Sequence, residues 1–207
     1  MTVSILFYDD DIIIVNKDPD LLSVPGRGPE KLDSVFHRLT LQFDEVHIVH
    51  RLDMATSGIM VFARHKDALR HLQQQFQNRQ TEKSYQAIVA GRLTPKNGAI
   101  NLPMRCDWPN RPRQMVCYEY GKKSLTRWRV MEYLDNSTRV ELIPITGRSH
   151  QLRIHCDALG HPILGDNLYG TAESQIATEH LCLHAQSLTF THPSSLERLT
   201  FSSLSPF

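Results

Sequence analysis

Three short segments of this chain carry side chains whose types and spacing suit chemistry. The first is HRLD, His50–Asp53, followed by MATSG, where an apolar run ends in charge and enters a glycine-containing turn. A carboxylate at a strand end beside Arg51 stays ionised and can act as nucleophile or base. The plainer alternative is an aspartate that caps the turn. The second is Tyr85 in EKSYQAIVAG, an aromatic at the start of a strand, where packing is the simpler role. The third is GRSHQLRIH, Gly147–His155, in which Arg148 and Arg153 bracket the start of a helix. That place suits an anion or a carboxylate, although surface arginines on an amphipathic helix leave the same pattern.

A fourth feature is electrostatic. Between Arg105 and Arg129 stand seven cations (Arg105, Arg111, Arg113, Lys122, Lys123, Arg127, Arg129) against Asp107 and Glu119, a local balance of +5. The whole chain carries only +1, so the remainder sums to −4. One basic stretch on an acidic body suits a polyanion, or else forms a solvated hairpin face. Trp108, Tyr118, Tyr120 and Trp128 are interleaved with these cations, a mixture that grips phosphates and stacks unpaired bases. Half of the four are expected in the core.

Other chemistries fail on inspection. GKKS at Gly121–Ser124 has Val116 where a phosphate loop needs its first glycine, and Lys123 where the magnesium hydroxyl belongs. GRSHQ lacks the second glycine of a nucleophile elbow, which makes Ser149 a helix-start residue. No GxGxxG occurs. Among eleven histidines, His150 and His155 are about 140° apart on a helix, and His47 and His50 face opposite sides of a strand. No local pair anchors a metal.

The elements that must position these residues are mostly strands. Runs at Ile5–Tyr8, Ile12–Asn16, Val46–His50, Ile59–Ala63, Tyr85–Ala90, Met115–Tyr118, Thr126–Tyr133, Arg139–Ile143 and Leu181–Phe190 are β-branched or alternating, punctuated by Gly, Pro, Asn or Asp. Helical spacing appears at Ser34–Phe43 (capped by Asp33), at Lys66–Gln80 and at Ser149–Leu159. Strands outnumber helices without alternating with them, which predicts an α+β fold with a mixed, largely antiparallel sheet. With 207 residues, 41% hydrophobic, 22% charged and a mean hydropathy of −0.33, the chain reads as one globular domain. No apolar run is long enough to span a bilayer, and MTVSILFYDD lacks the marks of a secretory signal. Four scattered cysteines suggest neither disulfides nor zinc, so a reduced, cytoplasmic protein is expected.

Taken together, HRLDMATSG, TEKSYQAIVAG and PITGRSHQLRIH, with ALGHPILGD close behind, resemble the ordered motifs of the RluA-type pseudouridine synthases. The likeness runs from LLSVPGR to LCLHAQSLTFTHP, and DWPNRPRQ at Asp107–Gln114 brings it towards the small dual-specificity members that act on 23S ribosomal RNA and tRNA. It implies a single catalytic domain over residues 1–207 with flanking helices, a central RNA-binding cleft and no appended N-terminal RNA-binding domain. It also implies that a uridine is flipped from its loop and isomerised without cofactor or metal. The resemblance assigns Asp53 as the catalytic aspartate, Arg153 as the arginine that pairs with it, and Tyr85 as the aromatic that stacks on the freed uracil. Arg51 fills the vacated stack. His50, Arg105, Arg111, Arg113, Lys122, Lys123 and Arg148 are expected to bind RNA beside it. The implied partners are a 23S rRNA loop and a tRNA anticodon stem-loop, with no membrane and a monomeric protein. An RNA-binding or ribosome-assembly module without catalysis is the competing reading, and a hydrolase needing a second opposed carboxylate is a third.

Overall fold

The computed structural model describes residues 2–207. They form two compact units, one built from the chain up to Lys83 together with His184–Pro206, the other from Ser84–Leu183 with Phe207. In chain order the elements begin with β1 (Ser4–Tyr8), β2 (Ile12–Lys17), α1 (Val35–Thr40), β3 (His47–Ile48), β4 (Ser57–Ala63) and α2 (Lys66–Gln77). Then come β5 (Glu82–Ala90), β6 (Asn97–Asn101), β7 (Met104–Cys106), β8 (Gln114–Val116), β9 (Leu125–Tyr133) and β10 (Ser137–Pro144). The last are α3 (Gln151–Ala158), α4 (Ala172–Ile176), β11 (Leu183–Thr191) and β12 (Arg198–Ser202).

In the first unit, β2 and β4 are continuous apolar runs buried on both faces, the pattern of central strands. They pair antiparallel, Ile12 opposite Ala63 and Lys17 opposite Gly58. β1 lies antiparallel on β2, and β12 antiparallel on β11. β11 joins β4 in parallel, His184 opposite Ser57 and Ala185 opposite Gly58. Glycine is required there, because Gly58 has φ +115° and any Cβ would run into the backbone of Ala185. α2 buries Ala68 and Leu72 against Ile12, Ile14, Ile59, Val61, Leu188 and Phe190. Leu72 has no exposed surface, so truncating it to alanine costs about 2–5 kcal/mol.

In the second unit β5, β10, β9 and β6 form an antiparallel series, with Tyr85 opposite Leu142 and Leu142 opposite Trp128. β7 and β8 make a separate two-stranded hairpin, Met104 opposite Val116. The mixed, mostly antiparallel sheet with few helices is the fold class that the strand pattern predicts.

Three local details differ from expectation. Ser34, not Asp33, caps α1: its hydroxyl accepts from the His37 amide, while Asp33 pairs with Arg38 at 2.7 Å. Both residue types cap well, and the extended backbone at Ser34 decides between them. α3 starts after His150 rather than at Ser149, and His150 takes the left-handed conformation, φ 55°. Of the four aromatics in the basic stretch only Trp128 is buried; Trp108, Tyr118 and Tyr120 are 66%, 78% and 69% exposed.

Candidate functional site

Asp53 lies in the first unit, on the loop between β3 and β4. Its carbonyl accepts from the Thr56 amide, closing the turn. The flanking residues are pinned. Ser23 Oγ donates to the Leu52 carbonyl at 2.7 Å and accepts from the Leu52 amide at 3.1 Å. Lys17 Nζ donates to the Met54 carbonyl at 2.7 Å and to the carbonyls of Leu21 and Asp18 at 2.7 and 2.8 Å. Lys17 is 1% exposed, and burial lowers its pKa to about 7, opposed by the charges of Asp20, Asp18 and Asp53. Three carbonyls match the three donors of an ammonium, so the group is a cationic clamp under the loop. Just past the turn, Ser57 Oγ is hydrogen-bonded to His184 Nδ1 at 2.8 Å, tying the start of β4 to β11.

Arg51, two residues before Asp53, is exposed. His50 behaves differently. It stacks on Phe76 with ring centroids 4.6 Å apart, and its Nε2 accepts from the Val61 amide. Burial and the nearby Lys83 charge lower its pKa to about 3. It therefore offers no cation to phosphate at neutral pH. These contacts anchor HRLD on α2.

Tyr85 and Arg153 belong to the second unit. Tyr85 is half-buried on β5. Arg153 is 3% exposed on α3 and grips Asp166 with two parallel bonds, Nε to Oδ2 at 2.7 Å and Nη2 to Oδ1 at 2.6 Å. Asp166 is itself 1% exposed, and its Oδ1 also accepts the amides of Leu168 and Tyr169. Two guanidinium groups, Arg153 and Arg113, lie over the Tyr169 ring, 5.3 and 5.4 Å from its centre. Its hydroxyl accepts from the Gln114 amide and is bonded to His150 Nδ1 at 2.7 Å.

The GRSHQ turn is held by one amide. Gln151 Oε1 accepts from Thr146 Oγ1 and the Arg148 amide, while Nε2 donates to the Leu125 carbonyl and to Thr126 Oγ1. Arg148 stays exposed at this turn. On the basic stretch Arg111 lies over Trp108 at 4.6 Å and Arg105 over Tyr120 at 6.0 Å, with Lys122 and Lys123 exposed nearby in sequence. Cations paired with exposed rings form a surface suited to unpaired bases and phosphates.

Lys17, Gln151, Asp166 and Tyr169 escape the sequence reading. A lysine closing the apolar run IIIVN, and an aspartate within ALGHPILGD, are the signals that could have found two of them. Among the described residues, Asp9, Asp11 and His192 bring potential metal-ligating atoms within 4.8 Å of one another. There His192 Nδ1 accepts from the Ser195 amide, leaving Nε2–H to donate to Asp9 at 3.0 Å. Ser194 and His65 bond Asp11 at 2.7 and 2.8 Å.

Comparison with known proteins gives consistent results. The model of the RNA pseudouridylate synthase family matches residues 11–158. A protein of Escherichia coli strain K12 described as dual-specificity RNA pseudouridine synthase RluA is 52% identical over 204 residues, 98% of this chain and 93% of its own. The protein so described from Haemophilus influenzae is 50% identical over 206 residues, covering 99% and 94%. The structure of human RNA pseudouridylate synthase domain containing 1 superposes with a TM-score of 0.85 at 29% identity, over 100% of this chain and 84% of that one.

Proposed function

Because the chain belongs to the RNA pseudouridylate synthase family, an isomerase acting on RNA, we propose that it modifies both 23S rRNA and tRNA with Asp53 as the catalytic group. The observation that carries the reading is the braced loop. Asp53 sits between Leu52, held by Ser23, and Met54, held by Lys17, so its carboxylate has a fixed origin. Preorganised placement of a reacting group is where much of an enzyme's advantage arises.

In this reading Asp53 attacks or deprotonates the ribose as the bond from C1′ to uracil N1 breaks. The uracil turns and rejoins through C5, and the C5 proton leaves with the help of Tyr85, on which the base stacks. Arg153 supplies the cation that keeps the reacting carboxylate charged, and Arg51 occupies the place of the flipped base. Arg105, Arg111, Arg113, Lys122, Lys123 and Arg148 hold the backbone of the RNA. The dual specificity follows the descriptions of the relatives at about 50% identity, and a monomeric, cytoplasmic protein completes the proposal.

The test incubates a 23S hairpin and an anticodon stem-loop with the protein and maps pseudouridine in each. Both should gain one pseudouridine with wild type and none with Asp53→Asn. Modification of the ribosomal hairpin alone would retain the isomerase and remove the dual specificity.

A further inference from the structure

Within the second unit, the β7–β8 hairpin and its connecting loop lean against α3 around a cavity of about 420 Å³. One wall is apolar, formed by Met115, Val116 and Ile154. The lining also includes two carboxylates, Asp107 and Asp157, the latter one turn along α3 from Ile154, and one cation, Arg113. The volume falls within the range of pockets that bury small organic ligands, and it has room for a nucleobase with its sugar.

These polar groups are held in place. Asp107 Oδ2 accepts from Asn110 Nδ2 at 2.9 Å, and backbone bonds from the Asp107 amide to the Arg113 carbonyl and from the Asn110 amide to the Asp107 carbonyl close the loop. Arg113 rests on the Tyr169 ring at 5.4 Å, and the Tyr169 hydroxyl in turn accepts from the Gln114 amide. Asp157 accepts from the Gly170 backbone, and burial with the nearby Asp166 charge raises its pKa. The same hairpin presents the exposed Trp108–Arg111 stack, so the cavity belongs to a segment shaped for unpaired nucleotides.

We propose that this cavity is a second base-binding site, which takes an unstacked nucleotide carrying an exocyclic amino group from the RNA substrate. The inference rests on the RNA-modifying reading and adds to it a reader for a base other than the target uridine. Carboxylates accept hydrogen bonds, so they fit the amino edge of adenine, cytosine or guanine. Uracil has no exocyclic amino group, and its one Watson–Crick donor, N3–H, is flanked by two carbonyl oxygens that carboxylates disfavour. The apolar wall takes the flat face of the base, and Arg113 meets the attached phosphate.

Two measurements test this. First, methyl NMR of the full chain follows Met115, Val116 and Ile154 during titration with AMP and, separately, UMP. AMP should shift these signals saturably and UMP should not; equal shifts, or none with AMP, overturn the inference whatever the cellular substrate. Second, anticodon stem-loops with one loop adenosine at a time replaced by purine riboside, which lacks only the amino group, are assayed for kcat/KM of pseudouridine formation. One position should cost wild type about tenfold, the worth of a hydrogen bond to a charged acceptor, and should cost Asp157→Asn little more than twofold. Equal losses in both proteins at every position would show that Asp157 reads no base there. Wild type that binds AMP in the cavity yet modifies no stem-loop would instead overturn the tRNA part of the proposed function.

Discussion

Replacing Lys17 with methionine tests whether the loop that carries Asp53 is held by one buried ammonium. The side chains are similar in length, so Lys17→Met opens little space and mainly removes three hydrogen bonds of 2.7–2.8 Å. The carbonyls of Asp18, Leu21 and Met54 then lose their shared donor. A buried acceptor left unsatisfied costs about 1–3 kcal/mol, and relief from burying a charge offsets part of the total. A net loss of about 2–4 kcal/mol is expected, with turnover falling more than RNA affinity because Met54 adjoins Asp53. Stability should also respond to pH. Lys17 has a pKa of about 7 in the folded chain against an ordinary 10.5, so between these values the unfolded chain binds more protons. Stability therefore rises with pH through this window, and the burial penalty is fully present below it. Urea melts at about pH 6.5 and about pH 9.5 should show that rise in wild type and lack its Lys17 share in Lys17→Met. A variant with unchanged stability and turnover would refute the clamp.

Four further outcomes follow from the same geometry and chemistry. Asp53→Asn should abolish turnover while leaving RNA affinity within a few-fold; residual activity above about 1% would demote Asp53 to a supporting role. Asp166→Ala should cost about 3–5 kcal/mol in urea denaturation by leaving Arg153, 3% exposed, without its bidentate partner, and a loss under about 1 kcal/mol would show that this pair does not brace α3. Neutralising Arg111, Arg113, Lys122 and Lys123 together should lower the log–log salt slope of RNA binding by about 3; an unaltered slope would leave them as solvated surface. Activity should survive exhaustive chelation, and loss restored by a divalent metal would contradict the metal-free mechanism.

The sequence makes legible what depends on local pattern. β2 and β4 stand out because unbroken apolar runs flanked by turn residues read as buried strands. HRLD is readable because its residue types are unusual at the end of such a run. What escapes is tertiary. Asp166 is 13 positions from Arg153 and lies in a loop, so nothing local connects them. Lys17 reads as the polar end of a strand until three carbonyls converge on it. β7 has three residues, too few to show a period, and its partner β8, Gln114–Val116, overlaps the expected run Met115–Tyr118 only in part. His50 shows the same limit, since Arg51 follows it in sequence while its neighbours in space are Phe76 and the Val61 amide.

The parallel seam between β4 and β11 imposes an order on protein synthesis. Ser57 and His184, which bond across it, are 127 positions apart. At about 5–20 residues per second, β4 waits some 6–25 s on the ribosome before the strand that completes its unit exists. Throughout that interval Gly58 has no Ala185 to press against, and the turn preceding it lacks its downstream anchor. A nascent or prematurely terminated chain ending before His184 thus contains Asp53, Tyr85 and Arg153 yet leaves the first unit unfinished. The seam therefore closes only after residues Ser84–Leu183 of the second unit have been synthesised.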